Sequence, residues 1–195
     1  MDASGFDTGA AERAAKANMS FAEIIKVRRS LRKYVAAEIT EGEIADIVED
    51  ALQAPSWKNG EPTHYRVALT KEARERAVLA LAQFNRERAE DASALVAVTF
   101  EKSKSGFDDG GKPVNEAGEL WGAYDAGIAT AYFILAARNR GWDTLIMGIR
   151  DEAAVRKNFA VPDGEIVLAV LALGKGAVVP KEPQHAAVAE KLAIL

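Results

Sequence analysis

Apolar residues recur along this chain either at helical spacing or in continuous runs. Helical spacing predicts five helices, which cover residues 20–28, 40–52, 71–88, 119–140 and 151–159. Two of them begin with a capping box, in which Ser20 or Thr40 is followed three residues later by Glu. The longest helix is apolar most of the way round, and it is therefore expected to be buried at the centre of the protein.

Continuous apolar runs predict strands over 65–69, 94–100 and 166–173. These strands are few and do not alternate with the helices, so the pattern favours an α+β fold over a doubly wound parallel sheet. Between Glu101 and Gly118 the sequence is a mixture of Gly, Lys, Asp and Ser. Such a segment is either a flap over an active site or a mobile surface loop.

A chain of 195 residues suffices for one ordinary globular domain. Its domain is expected over 20–176. Residues 1–19, rich in Ala, Gly and charge, are expected to form a flexible or partner-bound arm. Residues 177–195 form an amphipathic extension that is expected to contact a partner subunit.

The chain has no Cys, and its two imidazoles are His64 and His185. Disulfides, thiolate nucleophiles, iron–sulfur clusters and a three-His metal centre are therefore excluded. A Ser-His-Asp triad would have to use one of these two histidines. If the chain is an enzyme, an organic cofactor is the natural carrier of its reactivity, and we expect no metal.

The 25 Lys and Arg residues against 29 Asp and Glu give a formal charge of −4. This acidic balance argues against general nucleic-acid binding. No uninterrupted apolar run is long enough for a membrane span, and the first residues lack the basic and apolar regions of a secretory signal. We therefore expect a cytoplasmic protein.

Four cations and a hydroxyl lie within six residues, namely Arg28, Arg29, Ser30, Arg32 and Lys33. Guanidinium forks and a hydroxyl donor match a phosphate monoester. Cations after a helix also offset the negative end of its dipole and are then solvated. A nucleic-acid patch is a third interpretation, which the acidic total disfavours.

Three further segments have both a ligand-binding and a structural interpretation. The loop 55–62 offers Ser56, Trp57 and Asn59 to a planar ligand, or is a rigid connector fixed by two prolines. Asn85 and Arg88 share a helix face and suit the carbonyls of a ligand ring, or they face solvent. Gly148 allows a ligand to approach the backbone, or marks a turn.

Taken in order, these segments resemble the FMN-dependent nitroreductase family over about residues 20–175. The matching positions are Arg28, Arg29, Ser30 and Arg32; Ala54, Pro55, Ser56, Asn59 and Pro62; Asp125 and Gly127; Gly141, Trp142 and Thr144; Met147 and Gly148; and Leu173, Gly174 and Lys175. The chain departs from the family pattern at Glu61 and Thr63, where Gln and Trp are usual.

The resemblance implies a nitroreductase-like α+β fold with a central, mainly antiparallel sheet flanked by helices. It also implies an intertwined homodimer with two FMN sites at the subunit interface, and NADH or NADPH as the reductant. Residues 20–176 would then be the FMN-binding domain.

Site residues follow from the same resemblance. The FMN phosphate and ribityl chain would be held by Arg28, Arg29, Ser30, Arg32, Lys175 and Lys181. The partner subunit would cover the isoalloxazine with its own copies of Pro55, Ser56 and Asn59. The pyrimidine edge would contact Asn85 and Arg88, and the backbone of Met147 and Gly148 would lie beside the flavin N5. The substrate side would include Trp57, Phe107, Trp121 and Tyr124.

The implied activity is hydride transfer from NAD(P)H through flavin N5 to an electron-poor acceptor, a nitroaromatic or a quinone, by a ping-pong mechanism. No catalytic side chain is required. Reduction of an enone or aldehyde, or a dehalogenation, would use the same flavin site. A flavin-binding or redox-sensing module without turnover is the alternative from another class.

Overall fold

The structure of the chain, a computed structural model, describes residues 19–178 and 180–195. Of the predicted arm over 1–19, all but Met19 lies outside the described residues. The described helices are α1 Phe21–Val27, α2 Glu41–Ala51, α3 Lys71–Val78, α4 Gln83–Ala89, α5 Leu120–Asn139 and α6 Glu152–Asn158. The described strands are β1 Tyr34–Val35, β2 Thr63–Ala68, β3 Ala94–Glu101, β4 Asp143–Met147 and β5 Glu165–Gly176. Single 3-10 turns occur at Trp57–Asn59 and Val188–Glu190.

The sheet is built around strand β5, which pairs with β1, β3 and β4. Strand β3 pairs in turn with β2 at the opposite edge, and every one of these strand pairs is antiparallel. The prediction of an α+β fold with a mainly antiparallel sheet is therefore confirmed.

Both faces of the sheet are covered by helices. Alternate residues of β3 and β5 face opposite sides, as the pleat of a strand requires. Leu95 and Ala172 pack in one buried cluster with residues of α3, α4 and α6, whereas Val96 and Leu171 pack in a second with residues of α2 and α5. This two-sided burial explains why β3 and β5 read as continuous apolar runs.

The single helix predicted over 71–88 is wrong, because the chain forms two helices there. Between α3 and α4 it bends so that Leu81 pairs with Arg150 in an isolated antiparallel bridge. The backbone N–H of Ala82 donates to the carbonyl of Ile149 at 3.4 Å. A tertiary contact has replaced local helical bonds that the sequence pattern favoured.

Strands β1 and β4 were not predicted. Strand β1 has two residues, too few for any periodicity to show. The segment around Met147 was interpreted as a turn or a close backbone approach, but residues 143–147 pair along their length with β5.

Helix α5 is buried on one face rather than all round, which corrects the expectation for 119–140. Ala126, Phe133 and Ala137 are buried, whereas Leu120 and Tyr124 on the other face are 70% and 62% exposed. In the part of the chain that the structure describes, α5 is long and apolar enough by composition to cross a membrane. Its buried face packs on the sheet and on α2.

A substitution at Gly122 tests how closely α5 packs against the sheet. A Cβ atom at this position would lie 2.6 Å from the ring of Phe100 on β3. We expect Gly122→Ala to lower the free energy of unfolding by about 1–3 kcal/mol, the usual cost of overpacking. The measurement is urea denaturation followed by circular dichroism.

The matched control is Gly42→Ala in α2, where the nearest atom would lie 3.9 Å away. Its effect should be neutral or stabilising by less than about 1 kcal/mol, since Ala has the higher helix propensity. Equal losses in the two variants would contradict the tight contact.

Candidate functional site

A basic cleft opens where the chain leaves α1 and meets the sheet. Ser30, Arg32 and Lys33 line it together with Val178 and Pro180, and its volume is about 230 Å³. Ser30 forms a parallel bridge with Thr144 at the start of β4. Because Arg32 and Lys33 are exposed, their cations are free to meet an anionic ligand in the cleft.

Arg28 and Arg29, which precede the cleft in the chain, lie at the end of α1. Arg28 is the C-cap of α1 and is partly buried. The Arg29 guanidinium donates to the carbonyls of Lys26 and Arg28 and lies 3.7 Å from a carboxylate oxygen of Glu182. Arg29 thus satisfies carbonyls at the end of a helix, as the structural interpretation of the cluster predicts. Its part in cofactor binding stays a prediction.

Two glycines of β5 allow the cleft-bearing segment to lie against the sheet. A Cβ atom on Gly174 would be 2.7 Å from the Tyr34 ring, and one on Gly176 would be 2.8 Å from Leu31. The Tyr34 hydroxyl donates to the carbonyl of Leu31 at 3.1 Å. Burial raises the pKa of this phenol far above its ordinary value, so it remains a donor.

Lys175 and Lys181, predicted to complete the phosphate site, lie in different surroundings. The Lys175 ammonium donates to the carbonyl of Gly141 at 2.8 Å and lies 3.7 Å from the centre of the Trp142 ring. Burial lowers its pKa, while the nearby carboxylates of Glu43 and Asp143 oppose that shift. Lys181 is exposed in the tail beyond Pro180. Neither lysine is among the residues that line the cleft.

A second group of predicted residues lies at the far end of β4. Gly148 is exposed, and among the described residues no atom beyond its two chain neighbours would lie within 4 Å of a Cβ there. Met147, just before it, is buried. The buried amide of Asn85 donates to the carbonyl of Ile149 at 3.3 Å, which fixes the backbone next to Gly148. Arg88 lies on the same helix, with its guanidinium 5.1 Å from the centre of the Phe84 ring.

The loop 55–62 has an unusual backbone. Lys58, Asn59 and Glu61 all have φ values between +46° and +53°. Side chains of the loop support this conformation, since the Ser56 hydroxyl accepts the N–H of Glu61 and the Asn59 amide donates to the Glu61 carboxylate. Left-handed backbone in residues other than glycine costs free energy and is concentrated at functional sites.

Three of the four residues predicted for the substrate side form one aromatic cluster, defined as Trp57, Trp121 and Tyr124. The ring centres of Trp57 and Trp121 are 4.9 Å apart, and those of Trp121 and Tyr124 are 5.8 Å apart. Phe107 is partly buried in the 101–118 segment and pairs there with Pro113. The same segment contacts Trp121 through Gly106, where a Cβ atom would lie 2.5 Å from the indole ring.

Within one chain the predicted cofactor residues lie at opposite edges of the sheet. Ser30 and Gly148 lie at the β4 edge, whereas the loop 55–62 leads into β2 at the other edge. Three interstrand steps separate β4 from β2, which is about 14 Å. The structure therefore brings together Ser30 and Arg32 at one end of β4 and Asn85 and Gly148 at its other end. It does not bring Ser56 and Asn59 to them.

Some site residues were missed by sequence reasoning or noted without a role. Asp125 was noted as part of a motif, yet its carboxylate accepts from both the loop 55–62 and the 101–118 segment. A lone acidic residue in an otherwise apolar helix was the available signal. No sequence pattern marked Val178 and Pro180 as residues of the cleft. Over residues 19–178 and 180–195, no group of three or more His, Asp or Glu that could hold a metal is found.

Comparison with known proteins decides the family. The model of the nitroreductase family matches residues 25–175, most of the chain. The chain belongs to the nitroreductase family. The family predicted from the sequence and its oxidoreductase class are thereby confirmed.

The names of proteins similar to this chain agree with its membership of the nitroreductase family. A Bacillus subtilis protein named as the NAD(P)H nitroreductase YdgI is 27% identical over 186 residues, covering 80% of this chain and 88% of its own. An Archaeoglobus fulgidus protein named as an NADH dehydrogenase/NAD(P)H nitroreductase is 29% identical over 156 residues, covering 78% and 83%. The fold matches an Exiguobacterium sibiricum nitroreductase solved with FMN, with a TM-score of 0.79, 24% identity and coverage of 92% and 99%.

We expect acidic pH to weaken the hydrogen bonds that the Glu43 carboxylate accepts. Glu43 caps α2 by accepting from Thr40, and it also accepts the indole N–H of Trp142 at 3.3 Å. These bonds, the backbone bond from Thr40 first, hold the pKa of the Glu43 carboxyl below its ordinary range. Since the folded pKa is depressed, the stabilisation is full above the unfolded value of about 4.3 and is lost as the pH falls through the folded value.

We therefore expect Glu43→Gln to lower the melting temperature at pH 7, with the difference from the wild type shrinking towards pH 3.5. Glu41→Gln removes the other acidic side chain of the first turn of α2, and it is the control for the loss of a negative charge there. The measurement is thermal unfolding by circular dichroism at several pH values. A gap that stays constant with pH would refute the assignment.

Proposed function

We propose that this chain is an FMN-dependent oxidoreductase that takes hydride from NAD(P)H and delivers it to an electron-poor acceptor, a nitroaromatic or a quinone, in a ping-pong reaction. The observation that carries the proposal is the basic cleft at Ser30 and Arg32, connected by β4 to the open backbone at Gly148. Family membership and a structural neighbour solved with FMN support it.

The residues at the two ends of β4 would hold the two ends of FMN. Ser30, Arg32 and Lys33 offer a hydroxyl and two cations to a phosphate. Thr144 and Gly148 are four residues apart, so about 13 Å of strand separates the cleft from the exposed backbone at Gly148. Bound there, FMN supplies the N5 atom that accepts and donates hydride.

The protein's own contribution is binding, orientation and charge. Gly148 leaves room for a flat ring to approach the backbone, and Asn85 holds that backbone through Ile149. A cation at the pyrimidine edge stabilises negative charge there, which is the role we assign to Arg88 or Arg32. Solvent can protonate the acceptor, so no side chain has to act as a general acid.

We further propose a homodimer in which each site is completed by the loop 55–62 of the partner. The separation of this loop from Gly148 within one chain supports the proposal, because a chain does not bring its own loop to a ring bound beside β4. The exposed apolar face of α5, with Leu120 and Tyr124, offers an interface. The extension 177–195, where Leu192 and Ile194 are exposed, is proposed to lie on the same partner.

The direct test is the absorption spectrum of the purified protein with and without added FMN. We expect flavin bands that bleach anaerobically on addition of NADH or NADPH and return on addition of a nitroaromatic or quinone. An enone, an aldehyde and a halogenated arene in the same panel separate the alternative acceptors. A protein that stays colourless with FMN refutes the proposal, and bound flavin that no nicotinamide reduces indicates a module without turnover.

A substitution at Arg32 tests whether the basic cleft binds FMN. Arg32→Ala should weaken FMN binding by about 1.5–3 kcal/mol, the contribution of hydrogen bonds to a charged group. Titration of the apoprotein with FMN, followed by flavin fluorescence, measures the change. Arg76→Ala removes an exposed arginine of α3 that does not line the cleft, and it should bind FMN as the wild type does. Similar losses in both variants would argue for a general charge effect.

A further inference from the structure

Asp125 lies at the meeting point of three segments. Its side chain is buried in α5, with only 3% of the residue exposed. One carboxylate oxygen, Oδ2, accepts the backbone N–H of Trp57 at 2.9 Å and the hydroxyl of Ser105 at 2.7 Å. Asp125 therefore connects the loop 55–62 and the 101–118 segment to one helix.

A buried carboxylate requires compensation, and here the two loops provide it. In the part of the chain that the structure describes, no Lys, Arg or His lies within ion-pair distance of Asp125. Hydrogen bonds to a charged group are stronger than neutral ones, and an unpaired buried charge is costly. The two hydrogen bonds that this carboxylate accepts therefore hold both loops to α5.

The bond to Trp57 determines where an aromatic ring lies. The Trp57 indole N–H is buried and has no hydrogen-bond partner among the described residues, so its own polar atom does not orient it. The ring is fixed by its backbone anchor on Asp125 and by its contact with Trp121. Trp121 has its own anchor, since its indole N–H donates to Asn115 at 2.9 Å.

We propose that Asp125 is a positioning residue for the electron acceptor. By anchoring Trp57 and the 101–118 segment to α5, it holds the aromatic cluster as a surface on which a planar aromatic acceptor stacks. Aromatic rings prefer offset-stacked or edge-to-face contacts with other rings, and such pairs gain stability beyond that from the burial of area. This inference rests on the proposed function, and it adds the residue that positions the acceptor subsite.

The test uses the full-length, FMN-loaded protein and four variants. Asp125→Ala removes both bonds, and Asp125→Asn keeps an acceptor oxygen. Ser105→Ala removes one bond from the 101–118 segment. Ser103→Ala is the matched control in the same segment, because its hydroxyl donates to Glu119 and not to Asp125.

Three readouts are measured for each protein. The first is the exciton-coupled circular dichroism of the tilted Trp57–Trp121 pair. The second is the dissociation constant of 4-nitrobenzoate, from quenching of tryptophan fluorescence. The third is reoxidation of photoreduced protein by 4-nitrobenzoate and by ferricyanide, which needs no stacking.

We expect Asp125→Ala, which removes both bonds, to lose the exciton band and to bind 4-nitrobenzoate more weakly by about tenfold or more, the scale of hydrogen bonds to a charged group. Ser105→Ala should weaken binding less than Asp125→Ala does, by about threefold, because the bond from the Trp57 N–H to Asp125 remains. Asp125→Asn should restore the band and most of the affinity. Ser103→Ala should match the wild type, and ferricyanide reoxidation should be unchanged throughout.

An unchanged band and affinity in Asp125→Ala would overturn the proposal. If that variant does not fold, equal affinities in Ser105→Ala and Ser103→Ala overturn it instead. A wild-type protein that does not bind FMN refutes the proposed function, whereas the exciton band and the quenching titration still decide the positioning role of Asp125.

Discussion

Everything that surrounds the candidate site depends on the pairing of strand β5. This strand lies between β3 and β4 and also pairs with β1, so its register places the three segments relative to one another. A shift by one residue would turn the buried side chains of β5 to the opposite face, where they would not fit. Two of its residues have a further role, because Gly174 and Gly176 allow Tyr34 and Leu31 to approach closely. The cleft at Ser30 follows from that approach.

Buried polar groups determine how neighbouring segments are arranged at both ends of the long helix α5. At its C-terminal end the buried ion pair of Arg138 and Asp143 lies at 2.9 Å, and Asp143 also accepts the N–H of Gly176. Near its N-terminal end Asp125 accepts from Trp57 and Ser105. Groups of this kind are costly unless they are paired, so each one strongly favours a single arrangement of its neighbours. The apolar layers supply bulk stability, and these few polar contacts define where the loops lie.

The candidate site combines rigid and strained parts. The basic cleft borders the start of β4 and Gly148 follows its end, and this strand is paired along its length, which suits the binding of a cofactor in one orientation. The loop 55–62 instead contains left-handed residues that need their own hydrogen bonds. Sites built on strands hold their ligands more precisely than sites built on loops. The departure from the family pattern at Glu61 falls in this loop, where the Glu61 side chain now holds Asn59.

Local chemistry determined part of this protein. Both capping boxes, the caps at Asp151 and Gly141, the buried strands and the order of the family motifs could be predicted from the sequence, because each depends on residues close together in the chain. The tertiary structure alone decided the break between α3 and α4, the pairing of β4, and the exposed face of α5. It also decided that Arg29 satisfies carbonyls beside the cleft and that Asp125 connects two loops. These features depend on partners far away in the sequence, and a pattern of residue types carries no information about which distant donor a side chain will meet.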